Sequence, residues 1–120
     1  MEDLQVAELT LREGIYNQTC FHAQQAAEKA LKGFLAAARS SVPRTHSLTQ
    51  ILEFCVAVDA TFPNLEKESR SLDRFYIPTR YPDALPGSLP DGSPEHADAS
   101  EALLAARLII ERVNQVIRHA

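Results

Sequence analysis

The segment YNQTCFHAQQAAEKALKGFLAAAR, from Tyr16 to Arg39, decides the fold class. Apolar side chains recur in it every three or four positions, which places them on one stripe of an α-helix. The stripe consists of Cys20, Ala23, Ala27, Leu31, Phe34 and Ala38. Gln25, Lys29 and Lys32 fall on other faces. The segment therefore predicts a long amphipathic helix that buries one face in a core.

Two shorter helices are predicted, one before this segment and one well after it. Leu4, Ala7 and Leu11 share one helical stripe, and Gly14 suits the left-handed conformation that follows many helix ends. A further helix, the fourth along the chain, is expected from about residue 64 to 76, where apolar residues are fewer.

A third helix is predicted after Pro43, which ends the long one. Ser47 and Gln50 have the spacing of a capping box, in which each side chain satisfies a backbone N–H group of the other residue. The apolar stripe of this helix is Leu48, Ile51, Leu52, Cys55 and Val56. The helix is expected to end near Thr61.

Residues 77 to 93 read IPTRYPDALPGSLPDGS and contain four prolines, too many for a helix interior. We expect a long loop there, followed by a last helix that Ser93 caps and in which Pro94 takes the first position. The stripe of that helix is Ala99, Ala102, Leu103, Ala106, Ile109, Val113, Val116 and Ile117. Because no stretch alternates apolar and polar residues, the sequence predicts an all-α, up-and-down bundle of four to five helices.

The composition limits the classes to which the chain can belong. Its 120 residues fit one domain, 1–120, that buries roughly two thirds of its unfolded surface, and 45% hydrophobic content is ordinary for a globular protein. A net charge of −4 argues against a broad nucleic-acid-binding surface, although a small basic site remains open. No apolar run approaches the ~20 residues that span a bilayer, and no secretory signal is recognised, so we expect a cytoplasmic protein without membrane contact.

Cysteine and histidine positions argue against a metal centre. Cys20 and Cys55 fall on apolar helical stripes, where thiols usually act as small buried hydrophobes. His22, His96 and His119 have no spacing that would form a metal site with each other or with the cysteines. The sequence therefore predicts reduced core thiols, no metal and no cofactor.

Three stretches resemble the HEPN family (higher eukaryotes and prokaryotes nucleotide-binding). They are QQAAEKALKGFL at 24–35, THSL at 45–48 and RYPD at 80–83, and the resemblance covers roughly residues 16 to 117. It implies an α-helical bundle that often forms a homodimer. Many prokaryotic members are encoded beside a minimal nucleotidyltransferase, with which they form toxin and antitoxin pairs, so the resemblance also implies such a partner.

A subset of the family are metal-independent ribonucleases, and this chain departs from their motif. The motif is an arginine followed four to six residues later by a histidine, near the start of the last helical pair. Neither Arg74 nor Arg80 is followed by a histidine in that window. Arg39 and His46 have a similar spacing but lie at the end of the second helix, so we treat their spacing as coincidence. The resemblance thus favours a member that is not an enzyme.

The candidate binding site consists of Arg74, Tyr76, Arg80, Tyr81 and Asp83. A guanidinium group can hold a phosphate through two hydrogen bonds, and a tyrosine ring can stack on a base, so these residues suit a nucleotide or an RNA end. In a second interpretation, RYPD is a structural turn in which Asp83 accepts a hydrogen bond from Arg80. In a third, it contacts a protein partner.

Residues of the second and third helices also allow two interpretations. His46 is interpreted as a packing residue, with phosphate binding at the start of the third helix as the alternative. Lys29 and Lys32 are interpreted as a solvated face, with Glu28 and Lys32 forming an ordinary surface pair, although they could supply charge to a phosphate site. Gly33, which costs roughly 1 kcal/mol in a helix relative to Ala, predicts close helix packing.

The leading hypothesis is a non-catalytic HEPN module that binds a nucleotide or RNA end and partners a nucleotidyltransferase in a toxin–antitoxin-like pair. The first rival is a ribonuclease toxin with a degenerate motif, in which Arg74 or Arg80 stabilises the phosphate charge and His46 or Tyr81 replaces the usual histidine. The second rival is a structural oligomerisation domain whose interface is the apolar stripe of the last helix.

Overall fold

The computed structural model describes residues 2–76 and 93–118 and shows an all-helical bundle over these ranges. The elements are α1 (Glu2–Arg12), α2 (Tyr16–Ala37), α3 (Leu48–Val58), α4 (Glu66–Asp73) and α5 (His96–Arg118). The described residues contain no strand. The predicted fold class and helix order are confirmed. The loop predicted over 77–93 lies outside the described residues except for Ser93.

Helix α2 lies at the centre of the bundle and packs on each of the other four helices. Its most extensive contact is with α5, and α3 packs on α2 and α4 alone among the helices. The predicted stripes of α2, α3 and α5 supply most of the core. The prediction is wrong at three positions on these stripes, since Ala38, Val56 and Ile117 are exposed. Ala38 lies past the end of α2, and the other two lie at the margins of their stripes.

Most of the stripe of α5 is buried by packing within the chain. Its members Ala99, Ala102, Leu103, Ala106, Ile109 and Val113 are all buried. They are therefore not a free interface, which removes the basis on which the last helix was considered as an oligomerisation surface. Leu104, which is 65% exposed, lies on the outer face instead.

Several helix boundaries differ from the sequence prediction. Helix α3 ends at Val58 rather than near Thr61, and α4 is shorter than the expected 64–76 at both ends. Helix α5 begins at His96, after Glu95, because the Asp98 carboxylate accepts a hydrogen bond from the Glu95 N–H (2.9 Å). The predicted cap at Ser93 is thus two residues early. Helix α2 ends at Ala37, and Arg39 just beyond it has a positive φ of 56°.

The start of α3 is capped from another helix. The Ser47 hydroxyl accepts from the Gln50 N–H (3.4 Å), as the capping box predicts, but the Ser47 N–H donates to the Thr45 hydroxyl (3.1 Å). Asp73, the last residue of α4, accepts from the N–H groups of Leu48 (2.6 Å) and Thr49 (3.2 Å). It also accepts from the Ser47 and Thr49 hydroxyls. A carboxylate at the positive end of α3 thus joins α3 to α4.

Helix α1 is tied to α2 by a partly buried carboxylate. Asp3 accepts hydrogen bonds from His22 Nδ1 (2.8 Å) and Lys29 Nζ (2.5 Å). Partial burial by itself raises the pKa of Asp3, but the hydrogen bonds from Lys29 and His22 outweigh it and hold the pKa below its usual value. Lys29 therefore has a structural partner, which the sequence did not indicate.

Both cysteines are buried free thiols, as predicted. Burial raises the pKa of Cys20 to about 12, with a further contribution from the Asp98 charge. Burial also raises the pKa of Cys55 to about 12. The Cys55 thiol donates to the Leu31 carbonyl oxygen (3.7 Å). Both thiols are therefore protonated and unreactive at neutral pH.

The interpretation of Gly33 as a close-packing residue is wrong. Gly33 is exposed, and a Cβ atom built on it meets no atom within 4 Å. Gly14 differs, because its φ of +75° lies in the left-handed region that other residues rarely adopt. Gly33 can thus be replaced by a larger residue, whereas the backbone conformation at Gly14 requires a glycine.

We predict that Gly33→Ala raises the free energy of unfolding by about 0.5–1 kcal/mol, because alanine loses less backbone entropy on folding and has open space here. Gly14→Ala serves as the opposite control and is expected to lower it by about 1–2 kcal/mol, since a Cβ atom is strained at positive φ. Urea denaturation of both variants measures these differences. A destabilised Gly33→Ala would contradict the assignment of open space.

We predict that Asp73→Ala lowers the free energy of unfolding by about 2–3 kcal/mol, because two backbone N–H groups at the start of α3 lose a charged acceptor. Thermal unfolding would show a drop on the order of 10 °C. The control is Asp59→Ala. Among the described residues the Asp59 carboxylate accepts hydrogen bonds from Thr61 alone, so its loss should lower the melting temperature much less. Equal losses in the two variants would contradict the capping role.

Candidate functional site

The predicted site residues divide into two groups. Arg74 and Tyr76 lie directly after the end of α4. Arg80, Tyr81 and Asp83 lie outside the described residues. The described part of the site is therefore the C-terminal end of α4 together with the side chains that meet it.

Arg74 joins the end of α4 to the start of α5. Its Nη2 atom donates to Asp98 Oδ1 (3.1 Å), and Asp98 uses its other oxygen to cap α5. The guanidinium group also lies over the Phe75 ring, with 5.1 Å between Cζ and the ring centroid. Since the side chain is 41% exposed and a guanidinium has five N–H donors, Arg74 keeps donors available to solvent or a ligand.

Tyr76 stacks on a histidine from the connection between α2 and α3. The rings of Tyr76 and His46 have centroids 5.5 Å apart and planes inclined by 26°. Tyr76 is 41% exposed, and the His46 side chain is 50% exposed. The pair is thus an ordered aromatic stack at the surface, formed by residues that are 30 positions apart in the sequence.

His46 is held in place by Glu28 of α2. Its Nδ1 atom lies 3.1 Å from Glu28 Oε2, and its carbonyl oxygen accepts from Gln24 Nε2 (3.1 Å). Glu28 also accepts from Lys32 Nζ (3.1 Å) and Gln24 Nε2 (3.3 Å). Glu28 is only 7% exposed. The predicted pair of Glu28 and Lys32 is confirmed. The prediction that it lies on the surface is wrong, because the Glu28 carboxylate is nearly buried.

The start of α3 does not offer a free anion site to His46. The N–H groups of Leu48 and Thr49 already donate to Asp73. The alternative in which His46 orients a phosphate at this helix end is therefore not supported. The contacts with Glu28 and Tyr76 agree with its interpretation as a packing residue.

Four consecutive residues at the end of α4 anchor it to different parts of the bundle. Asp73 caps α3, Arg74 pairs with α5, and Tyr76 stacks on the connection between α2 and α3. Phe75 between them is 2% exposed and lies in the core. The residues from Asp73 to Tyr76 are therefore each held by contacts with the bundle.

A shallow groove runs beside this end of α4. It is lined by Asn64, Glu66, Lys67, Glu68, Arg70, Ser71, Arg74 and Glu101. Its basic side chains are partly neutralised, since Arg70 pairs with Glu66 and Arg74 pairs with Asp98. The groove is not basic overall, because Glu66, Glu68 and Glu101 balance its three cations. Within the described residues, Lys67 is the only one of these cations without an ion-pair partner.

Groups that could hold a metal ion are absent from residues 2–76 and 93–118. His22 is paired with Asp3, and the His96 ring lies edge-on to Tyr16 with 5.4 Å between centroids. None of the helices in these ranges is long and apolar enough to cross a membrane.

Comparison with known proteins identifies the family. The sequence model of the HEPN domain matches residues 1–116. This chain belongs to the HEPN family. The family assignment made from the three short motifs is thereby confirmed.

Relatives and solved structures agree with the assignment. The HEPN chain is 26% identical to the candidate toxin MJ1304 of Methanocaldococcus jannaschii over 126 residues, covering 98% of this chain and 82% of that protein. The crystal structure of ST0689, an archaeal HEPN homologue, is 30% identical with a TM-score of 0.75, covering 97% of this chain and 89% of that one. TT1696 from Thermus thermophilus is 36% identical with a TM-score of 0.70, covering 95% of this chain and 89% of that one.

Two residues that organise the described part of the site, Glu28 and His46, were not predicted from the sequence to have this role. Glu28 was taken as surface charge because its partner Lys32 lies one helical turn away, which is typical of solvated helix faces. His46 was not connected to Tyr76, because no local pattern links residues on two separate segments. The one available signal was THSL itself, whose histidine precedes a capped helix.

Proposed function

We propose that this HEPN protein is a non-catalytic binding module that takes a nucleotide or an RNA end at the C-terminal end of α4. We further propose that it partners a minimal nucleotidyltransferase in a toxin–antitoxin-like pair and forms a homodimer. The observation that carries the binding proposal is that a partly exposed guanidinium group, Arg74, and a partly exposed aromatic ring, Tyr76, both follow the end of α4, and each contacts another part of the bundle.

The RYPD residues extend this proposed site. Arg80, Tyr81 and Asp83 follow within a few residues of Tyr76, so a second guanidinium and a second ring are available on the adjoining stretch of chain. A nucleotide presents phosphate oxygens and a flat base to such a set, and each type of group has a matching partner.

The partner proposal has two supports. One is the similarity, along nearly the whole chain, to the candidate toxin MJ1304. The toxin of a toxin–antitoxin pair binds its antitoxin as a partner. The other is the resemblance to prokaryotic HEPN proteins that are encoded beside a nucleotidyltransferase. Exposed apolar side chains that the chain's own core does not cover, such as Leu9, Phe54 and Leu104, would supply contact area for a partner or a second copy.

A ribonuclease toxin is the second candidate, and the contact between Glu28 and His46 favours it. A carboxylate that holds Nδ1 fixes the imidazole orientation and leaves Nε2 to exchange a proton, as a general base requires. Against it stands the absence of the usual arginine and histidine spacing at the end of α4. The binding module is therefore the primary proposal.

Nucleotide binding is tested by thermal unfolding with and without millimolar ATP. The parent should melt several degrees higher with ATP, because a ligand at ~100 times its dissociation constant adds roughly 2.7 kcal/mol. The shift should shrink in Arg74→Ala and Arg80→Ala and persist in Arg70→Ala, a matched arginine one helical turn away that pairs with Glu66.

An unshifted parent would contradict nucleotide binding and leave an RNA end as the ligand. A single-stranded RNA carrying a 5′-phosphate is then the probe, followed by gel electrophoresis in the presence of a chelator. Intact RNA that migrates with the protein supports the binding module. Cleavage that is lost in His46→Gln would establish the ribonuclease instead.

Partner binding is tested by co-expression with a nucleotidyltransferase encoded beside the gene. We expect the two chains to co-purify, and we expect light scattering of the HEPN protein alone to give twice its 13.3 kDa chain mass. Two chains that separate on size exclusion would contradict the partner proposal. A mass of one chain would contradict the homodimer.

A further inference from the structure

We propose that His46, anchored by Glu28, is a positioning residue that makes Tyr76 a preformed stacking platform for an unpaired base. The ligand's base, rather than its phosphates, then supplies most of the affinity. This inference rests on the proposed function, in which a nucleotide or RNA end binds at the end of α4. It assigns His46 and Glu28 to that site and names the part of the ligand that they serve.

The contacts that support the platform are already formed without a ligand. Tyr76 lies past the end of α4, where a half-exposed side chain would otherwise sample several rotamers. Its ring instead stacks on His46, and His46 is held at both its ring and its carbonyl group by Glu28 and Gln24. A base that stacks on Tyr76 therefore immobilises little that is not already fixed, which favours binding.

The contacts are more elaborate than packing alone requires. Glu28 is a nearly buried carboxylate that takes hydrogen bonds from three side chains, and burying it costs desolvation that an apolar residue would avoid. What it holds in place is a pair of half-exposed rings that contribute little to the core. This arrangement is better suited to presenting a ring than to stabilising the fold.

The two cations nearest the platform are each already paired with a carboxylate, which weakens but does not remove their pull on a phosphate. Lys32 donates to Glu28, and Arg74 donates to Asp98, so both cations of the described site already have a carboxylate partner. Asp73 is hydrogen-bonded to the start of α3. Stacking does not depend on free charge and accepts any base, because every base has a π-face.

The test compares ATP with inorganic tripolyphosphate by isothermal titration calorimetry on the full chain. If one base stacks, ATP should bind the parent roughly 5- to 150-fold more tightly than tripolyphosphate. This ratio should fall close to one in Tyr76→Leu and decrease in His46→Leu and Glu28→Leu. It should survive in Tyr76→Phe, which keeps the ring, and His46→Phe should restore it relative to His46→Leu.

A matched control separates positioning from general stability. His22→Leu removes a histidine that is paired with a carboxylate, Asp3, in the same way, but that does not contact Tyr76. The ratio of ATP affinity to tripolyphosphate affinity in His22→Leu should equal that of the parent, whatever the melting temperature of the variant. A merely structural role of His46 would change the melting temperature and leave the ratio of the two affinities unchanged.

Two outcomes would overturn the inference. A parent that binds ATP and tripolyphosphate equally shows that the base contributes nothing, and an unchanged ratio in both Tyr76→Leu and His46→Leu shows that the base lies elsewhere. Either result leaves the proposed function intact if Arg74→Ala still weakens ATP binding. A parent that binds neither ATP nor single-stranded RNA would overturn the proposed function, and this inference with it.

Discussion

The fold depends on the contact between two long helices with alanine-rich faces. Helix α2 buries Ala23, Ala26 and Ala27, and α5 buries Ala99, Ala102, Ala105 and Ala106. The larger Leu31 and Ile109 belong to the same core cluster as all of these alanines except Ala26. Because α2 also packs on α1, α3 and α4, this pair provides the surface on which the rest of the bundle assembles.

The end of α4 gains its fixed position from that assembly. The helix is only eight residues long, too short to be stable by itself, and its last turn carries a carboxylate at the negative end of the helix dipole. That unfavourable placement is offset because Asp73 lies at the positive end of α3. The backbone position of Arg74 and Tyr76 is therefore set by contacts with α3, with α5 and with the connection between α2 and α3. The candidate site is thus a consequence of how a weak helix is secured.

The sequence predicts those features that are local and misses those that join distant segments. The stripe of α2, the left-handed Gly14 and the Ser47 cap all follow from residues within one or two helical turns, so periodicity and capping rules identify them. Asp73 caps a helix that begins 25 residues earlier, and Glu28 holds a histidine 18 residues later. No local rule connects such pairs. Of the five predicted site residues, Arg74 and Tyr76 lie together at one end of α4.

The balance of charge at this end of the bundle decides what it can recognise. Arg74 faces Asp98, Lys32 faces Glu28 and Arg70 faces Glu66, and the chain as a whole is acidic. A phosphate that takes one of these cations must displace a carboxylate, so it gains less than it would from a free cation. A base that stacks on an aromatic ring displaces no carboxylate. In the proposed function, selectivity for a nucleotide over other phosphate compounds would therefore come from the stack of Tyr76 on His46.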